Sequence, residues 1–149
     1  MDLARRLLPR VLRWPYALAW MALIFAGSSV PVEVTTARPP IPFDKVAHFG
    51  EYSVLAFLFV GVARRHVRGG RIGPLLVGAC IVLGAVYGAS DEFHQRYTPG
   101  RDPALDDLAA DAIGSAAGAL AAARLLPRLD PPSAATRGGP TSGRRGSKD

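Results

Sequence analysis

Imidazoles and carboxylates, the groups that move protons and hold cations near neutral pH, fall in three short stretches of this sequence. The first holds Asp44, Lys45, His48, Glu51 and Tyr52; the second Asp91, Glu92, His94, Gln95 and Arg101; the third Asp107 and Asp111. Two chemistries suit such a set. In the first, His48 or His94 exchanges a proton with a bound molecule while Glu51 or Glu92 orients the ring. In the second, His48, Glu51, His94 and a nearby aspartate hold zinc or a similar ion, because imidazole and carboxylate match its preferences. No HExxH or comparable close-spaced signature supports that metal reading, and no nucleophile elbow or phosphatase signature appears. The expectation is therefore no metal and no cofactor. A third reading is structural: Lys45 and Arg101 neutralise buried acids, and the whole set staples helices together, each partner being costly to remove.

The elements that carry these residues follow from four apolar blocks, at residues 14–30, 46–63, 72–90 and 108–126. A helix needs roughly 20 mainly apolar residues to cross the ~30 Å core of a bilayer. Backbone groups in lipid must be satisfied within the segment, so each block is expected to be an α-helix. The fold expected is an all-α integral membrane four-helix bundle over residues 1–127, with a disordered basic tail over 128–149 that is rich in Pro, Gly, Ser and Arg.

The net charge of +6 does not point to nucleic acid, because the charge is partitioned. Arg5, Arg6, Arg10 and Arg13 precede the first block, Arg64, Arg65, Arg68 and Arg71 join the second and third, and six more Lys and Arg follow Ala123. The other two links hold only Arg38, Lys45, Arg96 and Arg101 against nine carboxylates. By the positive-inside rule both termini and the middle link face the cytoplasm, so the acidic links face out. Anionic headgroups suffice as partners for the basic clusters. The expected location is a bacterial plasma (inner) membrane, crossed several times. The lone Cys80 lies mid-span, which rules out an intramolecular disulfide.

Along the chain, residues 1–13 form a basic amphipathic lead-in, and Trp14, Tyr16 and Trp20 suit a membrane interface. The basic start and the small residues Ala26, Gly27 and Ser28 also fit a cleavable signal peptide, but a retained span keeps the number of spans even. A proline-rich outer loop (Pro31, Pro39, Pro40, Pro42) follows and should be extended. Asp44 stands where a helix N-cap would be. Asp44, His48 and Glu51 share a broad helical face. The charge-free run after Glu51 is only twelve residues, so Glu51 lies inside the apolar boundary, facing protein or water. Gly84 and Gly88 allow close helix approach. Asp107 and Asp111 form another ridge, continued by Gly114 and Gly118, with Asp111 about one turn deep. His66, Asp102 and Asp106 read as solvated.

The stretches DKVAHFGEY, SDEFHQRYTPGR and DLAADAIGSAAGA resemble the VanZ-like family of small bacterial membrane proteins over roughly residues 20–123. The family pattern falls on Asp44, Lys45, His48 and Tyr52, then Glu92, Gln95, Pro99, Gly100 and Arg101, then Asp107, Asp111 and Gly114. Two positions depart from it: Asp111 stands where asparagine is common, adding a possible buried charge, and Ala104 where a small hydroxyl residue is frequent. The resemblance implies a cell-envelope role, the family being named for an accessory protein of low-level resistance to the glycopeptide teicoplanin. It brings no agreed reaction with it.

Two functions remain. One is a non-catalytic envelope protein whose outer polar pocket (Asp44, Lys45, His48, Glu51, Tyr52, Asp91, Glu92, His94, Gln95, Arg101, Asp107, Asp111) binds a lipid-linked cell-wall precursor or a glycopeptide. The other is an intramembrane enzyme acting on a lipid or precursor headgroup through His48, Glu51, Glu92 or His94. The balance leans to the first. Transport is weaker still, since no charged relay reaches the inner leaflet.

Overall fold

A computed structural model describes residues 12–31, 43–67, 71–101 and 103–129. Residues 1–11 of the lead-in, 32–42 of the proline-rich loop, 68–70 of the basic link, Asp102 and the tail from 130 onward lie outside the described residues. Among the described residues there are four α-helices: α1 (Trp14–Ser28), α2 (Phe43–Ala63), α3 (Pro74–Gln95) and α4 (Leu105–Leu129), with a 3-10 turn at Arg64–His66 extending α2. Among the described residues there is no strand.

Local chemistry sets the ends. Pro15 and Pro74 sit in the first turns of α1 and α3, where a missing N–H leaves no bond unmade. Asp44 lies inside the first turn of α2 rather than at its N-cap, because the helix starts one residue earlier, at Phe43. Asp106 and Asp107 complement the positive end of the α4 dipole. Between α3 and α4, the Arg101 N–H bonds the Thr98 carbonyl at 3.2 Å, and Gly100 takes a positive φ of 79° after Pro99. Pro followed by a left-handed Gly is the pattern of a type II turn.

α2, α3 and α4 are long and apolar enough to cross a membrane. α1 is shorter, with 15 residues, or about 22 Å at 1.5 Å per residue against a ~30 Å hydrocarbon core. At its C-cap the Ser29 hydroxyl and N–H both donate to the Phe25 carbonyl. The expected first span of 14–30 is thus two residues shorter as a helix, and the third is longer: α3 runs on to Gln95, carrying the whole acidic cluster on its last turn.

Pairings between helices give their directions. Trp20 bonds Glu51 and Leu12 abuts Gly61, so α1 and α2 are antiparallel. Gly84 abuts Ser115 and Gly88 abuts Asp111, so α3 and α4 are antiparallel. Lys45 meets Asp107, His48 meets Asp111, and the Phe49 and Ser53 carbonyls face Gly114 and Gly118, so α2 and α4 run parallel. This parallel pair makes the most extensive contact in the bundle. It is close because neither glycine has a Cβ: one at Gly118 would run into the Ser53 carbonyl, and one at Gly114 into that of Phe49. The Ser53 hydroxyl fastens the pair by donating to the Gly114 carbonyl at 3.0 Å.

Large apolar side chains such as Leu23, Val82, Val86 and Ile113 lie on the outside, while Asp111 and Ser115 are fully buried. Polar inside and apolar outside is the distribution expected when the surrounding solvent is lipid.

Candidate functional site

The alternation of directions brings the C-terminal ends of α1 and α3 and the N-terminal ends of α2 and α4 to one end of the bundle. The long-range contacts that Lys45 and His48 make with carboxylates lie at that end. At its centre His48 Nδ1 lies 2.9 Å from Asp111 Oδ1, with His48 7% and Asp111 0% exposed. An ionised carboxylate only accepts, so Asp111 then requires the proton on Nδ1. The Tyr52 ring stacks parallel to His48 with centroids 6.4 Å apart. Glu92 approaches from α3, and donor atoms of His48, Glu92 and Asp111 all lie within 4.8 Å of one another.

Backbone space makes this meeting possible. Gly88 faces the Asp111 carboxylate, and a Cβ there would stand 2.7 Å from Oδ2. Glu92 is held by the Ala104 N–H, which donates to Oε2 at 3.0 Å. Ala104 lacks the hydroxyl frequent at this position of the resembled pattern, yet its backbone supplies a donor. Glu51 is half-buried, within electrostatic reach of His48, Asp91, Asp111 and Arg101.

Around this centre lie two further sets. Nearer the end, Lys45 Nζ bridges Asp107 at 2.7 Å and Asp106 at 2.8 Å, with the exposed Asp44 at 3.4 Å. The other set joins α1 to α3. Ser28 donates to Asp91 Oδ2 at 2.7 Å, Gln95 Nε2 donates to the same oxygen at 3.2 Å, and His94 stacks on Phe25 at 4.4 Å while its Nε2 meets Ser29 Oγ at 3.0 Å.

The inward ridge of α2 is therefore Lys45, His48 and Tyr52, not Asp44, His48 and Glu51; Asp44 points out. His94 and Glu51 are not among the donors that converge with His48; Glu92 and Asp111 are. Arg101 does not pair with a carboxylate among the described contacts. Its Nη2 donates to the Gly27 carbonyl at 3.0 Å, closing the C-terminal end of α1. Ser28 and Ser29 bind the second stretch from α1; in the sequence alone Ser28 reads only as a small residue of a cleavage pattern and Ser29 is not singled out, and their position at the close of an apolar run is the available signal. Ser115, buried beneath Asp111 on α4, carried none.

Five groups at this end keep a buried atom without a hydrogen-bond partner: Asp91 Oδ1, Glu92 Oε1, Asp111 Oδ2, the Tyr52 hydroxyl and Arg101 Nε; Ser115 Oγ, beneath Asp111, is a sixth. Beside Glu92 a recess of about 320 Å³ opens between α3 and the start of α4. Its walls are Ala89, Phe93, Leu105 and Leu108, and its polar groups are Glu92 and Arg96. The Arg96 guanidinium lies 5.6 Å above the Phe93 ring, a cation–π contact that aims the charge along the wall. Arg96 was not a candidate from the sequence.

A sequence model of the family described as VanZ/LLP1 matches residues 13–126. No curated protein matches the chain, and no solved structure does.

Proposed function

The chain belongs to the VanZ/LLP1 family, and on that premise we propose that it is an envelope membrane protein binding the headgroup of a lipid-linked cell-wall molecule at its polar end. The observation that carries this reading is the recess beside Glu92. It combines a guanidinium and a carboxylate with an apolar wall of Ala89, Phe93, Leu105 and Leu108. Arginine suits phosphate because its planar fork donates two parallel bonds to one group. The wall of Phe93, Leu105 and Leu108 suits the first units of a lipid chain.

In this reading the polar end faces away from the cytosol, where precursors and glycopeptides meet, and the protein shifts susceptibility to teicoplanin by holding such a molecule. The test uses the full chain in lipid nanodiscs. A polyprenyl diphosphate should bind, a polyprenyl alcohol without phosphate should bind more weakly, and Arg96→Gln should weaken the diphosphate about 10-fold, the loss of one charge-assisted contact. Equal binding of the two lipids, untouched by Arg96→Gln, would overturn the reading.

A further inference from the structure

We propose that His48, Glu92 and Asp111 form a binding site for one divalent transition ion of the Zn2+ or Mn2+ kind. The three side chains come from three helices, all more than nine-tenths buried, and their donor atoms lie within 4.8 Å of one another. An ion about 2.0–2.2 Å from each donor separates the donors by roughly 3–4 Å, so small side-chain rotations close the site. One imidazole with two carboxylates favours zinc or manganese over Ca2+ and Mg2+, which take oxygen ligands and, for calcium, more of them.

Two further observations point to an occupant. Glu92 Oε1 and Asp111 Oδ2 are buried without any hydrogen-bond partner. Tyr52, fully buried against the face of His48, also has an unpartnered hydroxyl, lying in the field of Asp91 and Asp111. Buried acids in such numbers are costly unless cations compensate them. Lys45 is engaged with Asp106 and Asp107, and Arg101 gives its Nη2 to the Gly27 carbonyl and meets no carboxylate among the described contacts, although its Nε is buried without a partner. His48 alone supplies at most one positive charge, whereas a divalent ion neutralises both ligating carboxylates. Three protein ligands leave a coordination position open, and Glu92 also lines the recess.

The ion competes with protons for the His48 ring and the two carboxylates, so binding should weaken as pH falls. The proposal does not depend on what fills the recess, because metal is measured on lipid-free protein in detergent. The full chain, stripped by a chelator and titrated with Zn2+, Mn2+ and Co2+, should take up one ion per chain by elemental analysis. Cobalt should give visible bands of low coordination number. Glu92→Gln and Asp111→Asn keep side-chain shape and should each weaken binding about 10-fold or more. His66→Ala, at the opposite end, should bind as the wild type does. A folded wild-type chain that takes up no stoichiometric ion overturns the proposal, as does uptake indifferent to Glu92→Gln and Asp111→Asn.

Discussion

His48 and Asp111 meet at 2.9 Å in the interior, whereas Lys45 meets Asp107 and Asp106 at similar distances but keeps 31% of its side chain exposed. Similar geometry does not imply similar worth. Removing one member of a buried pair leaves the other uncompensated and costs about 3–5 kcal/mol, while a pair reached by solvent contributes about 0–1 kcal/mol. His48→Ala should therefore lower the melting temperature in detergent far more than Lys45→Met. Equal losses would mean that the Lys45 cluster holds the bundle as strongly as the His48 pair. At this scale the sequence was half legible. Helical spacing placed Asp107 and Asp111 on one ridge, but nothing in the spacing distinguished His48 from His94 as partner of Asp111. That choice depends on the rotation of α2 and α3 about their axes, which sends His94 to Phe25 and Ser29.

Among the helices, the two small-residue pairs do different work. Gly84 and Gly88 make room for side chains, Ser115 and Asp111, while Gly114 and Gly118 seat directly on the α2 backbone. A side chain can rotate away from an added methyl group, but a helix backbone cannot. Gly118→Val should thus push α2 and α4 apart, carry Asp111 away from His48, and reduce the amount of folded protein in the membrane, at a cost of about 1–3 kcal/mol or more. Gly78→Ala, with nothing within 4 Å of its Cβ position, should be neutral or stabilise by about 0.5–1 kcal/mol. Comparing folded yield by size-exclusion chromatography checks both, and a well-folded Gly118→Val protein would show that the α2–α4 contact is looser than described. The GxxxG spacing itself was visible in the sequence. Which neighbour each pair met was not.

For the molecule as a whole, alternating helix directions put the turn after α3 and the basic 3-10 turn after α2 at opposite ends. If Arg64, Arg65 and Arg71 hold their end in the cytosol, the exposed Tyr97 lies outside it. A Tyr97→Cys chain in intact cells should react with a membrane-impermeant thiol reagent, and Cys80, being buried, should give little background. Labelling only after the cells are opened would reverse the orientation and remove the route by which a cell-wall molecule reaches the recess. α1, about 22 Å long, reaches less than the full hydrocarbon thickness, yet it supplies Ser28, Ser29 and the Gly27 carbonyl to the site. Its length is thus matched to where α3 needs partners.

By itself the sequence determined the helical class, the family, three helices long and apolar enough to cross a membrane, and the side chains that are too polar for lipid. All of these rest on composition and short-range periodicity, which neighbouring residues carry among themselves. Only the tertiary structure decided that α2 and α4 pack in parallel, that Glu92 rather than Glu51 or His94 converges with His48 and Asp111, and that Arg101 closes a helix end. Those outcomes depend on how far each helix is rotated and how near its neighbour comes, and that is set by contacts such as Gly118 on Ser53, sixty-five positions apart, which no local pattern encodes.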